Sequence, residues 1–238
     1  MRKIVKFIRG IKLILLNSYY YESKLLGIKL IFFLLIDSIT KFSYLKIKNK
    51  NIKTDFSEYI KSFKFTRNYF KHNPTIWFEI FKKNSLFEKK INILEIGTFE
   101  GMSFVFFEKY LKINQIFCID IVENNNFKIN REQFNNFKFF NTTSDEFFKK
   151  NLNINFDIIY VDGSHKATDV FNDLINSHKI LNNKGILIID DFLLDIDYRR
   201  KDNGQFYNEV MGGVFMFLKK NLDYKYLYTG HQLILKKN

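Results

Sequence analysis

The sequence holds one cysteine, Cys118, and one proline, Pro74, among 238 residues. A lone thiol closes no intrachain disulfide and builds no cysteine-ligated zinc site, and so little proline excludes a collagen-like chain. With no disulfide to protect, a reducing compartment, the cytoplasm, is the expected setting. Long hydrophobic runs are also scarce. The stretch 25–39 is fifteen residues long and carries Lys29, whereas a membrane-spanning helix needs about 20 apolar residues. The basic N-terminus lacks the small-residue cleavage site of a signal peptide. Acids are rare at this end: residues 1–50 hold eleven Lys/Arg against Glu22 and Asp37, a net of +9.

What is present is ample material for a core. Apolar residues make up 46% and aromatics 18%, mostly 29 Phe and 13 Tyr, which argues against intrinsic disorder. The length suits one domain with an extension. The net charge of +13 suggests nucleic acid at first sight, but residues 51–238 hold 27 basic and 23 acidic residues. Lys outnumbers Arg 32 to 6, a bias that AT-rich coding produces without functional meaning. No specific nucleic-acid partner is expected.

Residues 1–50 read as a basic amphipathic helical extension. Ile4, Phe7, Ile8, Ile11, Ile14 and Leu15 fall at helical spacing, with Arg2, Lys3, Lys6, Arg9 and Lys12 mostly on the other side. Two readings stay open. Either the helices cap the following domain or form a homo-oligomer face, or residues 1–39 lie peripherally on an anionic membrane. Residues 40–60, polar and Lys-rich, read as a linker.

From residue 91 the pattern alternates. Short apolar runs at 91–96, 115–120, 137–141, 156–161 and 185–190 predict buried strands, with helices over 102–111 and 166–181. Strands apolar on both faces and separated by helices imply a doubly wound parallel sheet. A helix over 208–220 then leads to β-type runs at 224–228 and 232–237. The three residues between those runs allow only an antiparallel hairpin. In such sheets ligands bind beyond the carboxyl ends of the strands, where Glu95, Asp120, Asp162, Asp190 and Asp191 all fall.

The turn Glu95-Ile96-Gly97-Thr98-Phe99-Glu100-Gly101 follows a strand and opens a helix. Gly97 permits a tight turn, and Gly101 permits close approach of a ligand to the helix start. Asp120, at the end of the next strand, is placed to accept ribose hydroxyls. The G-x-x-x-G spacing differs from the G-x-G-x-x-G of a pyrophosphate cradle. Asp162-Gly163-Ser164-His165 and Asp190-Asp191 end neighbouring strands. Three adjacent carboxylates repel one another, and a hard divalent cation relieves the conflict. Asp190 and Asp191 face one ion only if the chain bends between them. His165 is a candidate proton acceptor. His178 lies on an apolar helix stripe and reads as core, Trp77 reads as packing, and His72 and His231 are left without a role. Residues 192–207, with Tyr198, Arg199 and Arg200, are a candidate lid.

On these residues the sequence resembles a known family. The stretch 91–120 resembles motif I and the acidic loop of class I S-adenosylmethionine-dependent methyltransferases. Residues 157–192 (DIIYVDGSHKATDVFNDLINSHKILNNKGILIIDDF) and 70–81 (FKHNPTIWFEIF) are similar to the macrocin O-methyltransferase group of sugar O-methyltransferases. The resemblance covers residues 65–237, within a methyltransferase domain expected at 51–238. It implies a Rossmann-like, mostly parallel seven-stranded sheet with an antiparallel C-terminal hairpin. It implies that Glu95, Gly97 and Gly101 line the methionine moiety of S-adenosylmethionine, with Thr98 and Phe99 in the same turn. Asp120 would hold the ribose, Ser144 would sit near adenine, and Asp162 would touch the donor. For Ser144 a helix N-cap is the competing role. The resemblance further implies Mg²⁺ bound by Asp162, Asp190 and Asp191, His165 as general base, and a sugar, glycan or other small hydroxylated acceptor. Competing readings are a nucleic-acid or protein methyltransferase, a nicotinamide-dependent oxidoreductase, and a non-catalytic membrane-peripheral scaffold of the same fold. With one proline, the Asn/Asp-Pro-Pro-aromatic motif of amine methylation is missing.

Overall fold

Alternation of short apolar runs with helices produces a seven-stranded sheet in the computed structural model. The model describes residues 2–38, 50–70, 73–150, 153–193, 209–220 and 222–238. Strands β1 (Ile91–Ile96), β2 (Ile113–Asp120), β3 (Phe137–Asn141), β4 (Phe156–Val161), β5 (Leu181–Ile189), β6 (Tyr224–Thr229) and β7 (Leu233–Lys237) lie in the order β3-β2-β1-β4-β5-β7-β6. The first five pair in parallel, while β7 is antiparallel to both β5 and β6. The helices are α1 (Arg2–Tyr20), α2 (Lys24–Ile36), α3 (Lys50–Tyr59), α4 (Asn73–Lys83), α5 (Met102–Tyr110), α6 (Asn125–Arg131), α7 (Ser144–Lys149), α8 (Ala167–Ile180) and α9 (Glu209–Leu218). The parallel doubly wound sheet and the terminal hairpin match the sequence expectation.

Two cores form because successive strand residues point to opposite faces. Ile93, Ile158, Tyr160, Ile186 and Ile188 face a layer rich in aromatics, including Phe56, Trp77, Phe104, Phe106 and Phe127. Leu94, Ile96, Ile159, Val161, Leu187 and Ile189 face Phe147, Leu174, Val214 and Phe215. The N-terminal helices close this second layer. Leu13 and Ile14 of α1 and Leu30 and Leu34 of α2 enter the same core, Phe33 stacks on Tyr226 at 4.8 Å, and Asp37 accepts the Thr229 N–H at 2.7 Å.

The linker expected at 40–60 is corrected in its second half. Residues 50–59 form α3, because Phe56 inserts between Phe70, Phe106 and Tyr110. Burying a Phe stabilises by roughly 1.5–3 kcal/mol, enough to order a polar helix with one deep anchor. Residues 40–49, His72 and, in the candidate lid, Tyr198, Arg199 and Arg200 lie outside the described residues.

Candidate functional site

The parallel ladder carries its hydrogen bonds to the very ends of the strands. Gly97 donates to Ile119 O at 2.8 Å, Asp162 to Ile96 O at 2.8 Å, and Asp190 to Val161 O at 3.0 Å. The tips of β2, β1, β4 and β5 therefore stand side by side. Strand order reverses between β1 and β4, the crevice where doubly wound sheets take ligands.

The turn after β1 is built from left-handed residues: Gly97 at φ 86°, Phe99 at 49° and Gly101 at 78°. A Cβ on Gly97 would sit 2.0 Å from the Asp162 carbonyl oxygen, so glycine is required there by both conformation and space. The space a Cβ on Gly101 would fill is taken by the Phe127 ring at 2.5 Å, so a glycine here also serves the packing of α5 against α6. Glu95 is fully buried beneath the turn with Thr98. It accepts from the Ser103 hydroxyl and lies 3.8 Å from Cys118 Sγ. Burial pushes its carboxyl up to about 8, so it is neutral at pH 7.

Asp120 is fixed by backbone. One carboxylate oxygen accepts the Phe99 N–H at 2.8 Å and the other the Val122 N–H at 3.2 Å. Around it stands an apolar rim: Phe99, Ile121, Val122 and Tyr69 are exposed, with Tyr69 edge-on to Phe99 at 5.5 Å. Such a rim suits a flat heterocycle beside a diol. Ser144 is the first residue of α7. The N-cap alternative for it is corrected, since Thr143 caps the helix by accepting the Glu146 N–H at 3.2 Å. Ser144 faces Asp173, whose carboxyl is pushed up to about 6 by burial against the lowering effect of the Ser144 hydroxyl.

At β4 and β5 the acids converge. Asp191 takes φ 54°, the bend that lets consecutive aspartates face one space. His165 Nε2 lies 3.2 Å from one Asp191 oxygen, and His231 bridges Asp190 at 3.4 Å and Asp191 at 3.6 Å. Asp162, His165 and Asp191 form one compact set of metal-type donor atoms, and Asp190, Asp191 and His231 form another. Burial, then the charges of Asp190 and Asp191, hold Asp162 well above the usual carboxylate range, and burial with Asp190 raises Asp191. Burial also acts to raise Asp190, yet hydrogen bonds from His231, Tyr160 and the Asp191 N–H bring it below its ordinary value. His231 is opposed by burial, but Asp190 and Asp191 hold it above its ordinary value. Three crowded carboxyl groups whose charges oppose one another, with two imidazoles at hand, suit a divalent cation.

The sequence left three of these partners without a role. The Tyr160 hydroxyl lies between Asp162, at 2.9 Å, and Asp190. Gln232 donates to Asp190 at 3.0 Å and accepts from Trp77 Nε1 at 2.7 Å. Trp77 is otherwise packing, as expected, and half-buried His178 pairs with the Tyr224 hydroxyl at 2.9 Å. A signal existed for Tyr160, two residues before Asp162 and so on the same strand face. One existed for His231 too, because a hairpin antiparallel to β5 must turn at the edge where β5 ends.

Residues 94–192 match the family described as a methyltransferase domain. No curated protein matches the chain in sequence. Among solved structures, the chain is similar to the methyltransferase MycE from the mycinamycin biosynthetic pathway, in complex with Mg, SAH and mycinamycin VI. The TM-score is 0.56 at 15% identity, over 78% of this chain and 54% of that one, so the chain spans about half of MycE. It is also similar to an O-methyltransferase from Bacillus cereus in complex with SAH, with a TM-score of 0.55 at 14% identity, over 87% of this chain and 96% of that one. The domain match falls on the strands that carry the glycine turn and the acid cluster, and the chain shares its fold with these methyltransferases.

Proposed function

We propose that the protein is an O-methyltransferase that transfers a methyl group from S-adenosylmethionine to a hydroxyl of a sugar, a glycan or another small acceptor, assisted by Mg²⁺. The observation that carries this reading is the meeting, at one edge of the sheet, of an imidazole and three carboxylates beside a glycine turn and the Asp120 carboxylate. The similar structures support it: one is an O-methyltransferase in complex with SAH, and MycE carries Mg and SAH together.

The residues fit both groups. Asp120 would accept the ribose hydroxyls, Phe99, Ile121 and Val122 would flank the adenine with Ser144 nearby, and the backbone at Gly97 and Thr98 would meet the methionine end. Neutral Glu95 and Gly101 support the turn from below. Asp162 and Asp191, with Asp190 behind them, would hold the cation, whose charge relieves the repulsion that raises Asp162 and Asp191. When bound, the donor supplies an electrophilic methyl on a sulfonium, and the cation acidifies and orients the acceptor hydroxyl.

The chain's own residues do the rest. His165, exposed and steered by Asp191, takes the hydroxyl proton as the oxygen bonds to the methyl carbon and the carbon–sulfur bond breaks. The strand tips hold donor and acceptor in line, which removes much of the entropic barrier. Tyr160 and Gln232 hold Asp190 so that Asp191 keeps its bend.

The test is a methyl-labelled donor assayed against free sugars and nucleotide-linked sugars, with and without EDTA. Label in a base-stable ether that disappears with EDTA is the expected result. Label in an amine product would overturn the hydroxyl acceptor, and turnover unaffected by EDTA would remove the cation.

A further inference from the structure

The two N-terminal helices present an apolar surface that the sheet does not cover. Ile8, Leu15 and Tyr19 of α1 and Leu25, Ile28 and Phe32 of α2 are exposed, Leu25 by 82% and Tyr19 by 77%. Their spacing of three, four and seven residues puts each set on one helix face. Lys12 stands in the first stripe, and Lys24 and Lys29 in the second, all exposed. The opposite faces are sealed, with Leu13, Ile14, Leu30 and Leu34 in the core. The surface belongs to an ordered body, because Asp37, just past α2, anchors on Thr229. Outside these helices, most exposed large apolar side chains among the described residues rim Asp120 and belong to the proposed donor site.

Exposed apolar stripes bordered by cations on two neighbouring helices mark a partner, and the charge selects which. We propose that this face docks on the interface of an anionic lipid bilayer, with both helices lying in the membrane plane. Residues 1–50 carry a net +9. Pairing this face with a second copy of itself would set two such segments together, whereas an anionic leaflet attracts each of them. Insertion across the bilayer is excluded for the described residues, where no helix is long and apolar enough to cross. The apolar side chains enter the acyl boundary, while the lysine stems lie along it and hold their ammonium groups at the phosphates.

The inference is independent of methyl transfer. The full chain is floated with phosphatidylcholine vesicles, with and without phosphatidylglycerol. Binding to the anionic vesicles alone, falling about tenfold as salt shortens the screening length, is the expected result. Ile28→Asp with Phe32→Asp, and separately Lys12→Glu with Lys24→Glu, each weaken it about tenfold with an unchanged melting curve, since all four side chains are exposed. Binding that neither pair alters overturns the proposal. So does a concentration-dependent dimer in light scattering that Ile28→Asp with Phe32→Asp dissolves, which would give the face to a second copy.

Discussion

The two halves of the sheet edge handle buried charge in opposite ways. At β1 and β2 each acid is satisfied within the chain. Asp120 receives two backbone N–H groups, and Glu95 keeps its proton under the turn. At β4 and β5 the carboxylates face one another, and Asp162 and Asp191 are raised by burial and by their neighbours. The first half is satisfied by its own hydrogen bonds, while the second gathers carboxylates whose charges oppose one another, with His231 among them held above its ordinary value. On the proposed function, the first half would hold the donor and the second would activate the acceptor, one strand spacing away.

Substitutions that strike one half and spare the other test that division. The largest effect is expected at His165. His165→Ala should lower turnover by about 10²–10⁴-fold, the usual contribution of a general base, while donor affinity measured by calorimetry stays within about twofold. A matching loss of donor affinity would merge the halves.

Next is the pH dependence of stability. Glu95 loses its proton near 4.5 when unfolded and near 8 when folded. Between those values the native state binds the extra proton, so stability falls as pH rises, by on the order of a few kcal/mol. Glu95→Gln should make the fall of melting temperature with pH between about 5 and 8 shallower, the remainder coming from the other raised carboxyls, Asp162, Asp173, Asp191 and Glu108. A slope identical to that of the unsubstituted protein would mean the Glu95 carboxyl is ionised in the fold.

Asp120→Ala should weaken donor binding by about 10–100-fold, through loss of charged hydrogen bonds, and leave cation binding intact. The smallest effect is thermal. Mg²⁺ at about ten times its dissociation constant should stabilise by about 1.4 kcal/mol, a rise of roughly 3–6 °C for a chain of this size. Asp191→Ala should abolish the rise while Asp120→Ala keeps it. A rise that survives Asp191→Ala places the ion elsewhere.

Much of this edge was legible in the sequence because its signals are local. An apolar run ending in Gly97 or Asp162 is a strand with its tip marked, whatever packs on it. α3 was not legible, because a polar helix held by Phe56 depends on Phe70 and Phe106, far along the chain. The packing demand on Gly101 was not legible either, because its neighbour, the Phe127 ring, becomes visible only in three dimensions. His231 was legible only through topology, since the antiparallel pairing of β7 with β5 brings its turn to the strand tips.

The sequence by itself determined the order of strands and helices, the antiparallel end and the acids at the strand tips, since periodicity and spacing are properties of a short stretch of chain. Only the tertiary structure decided that Asp191 bends toward Asp162, that Tyr160, Gln232 and His231 surround Asp190, and that α1 and α2 bury one face and bare the other. Those outcomes depend on side chains tens of residues apart competing for the same space, and no local pattern encodes who wins.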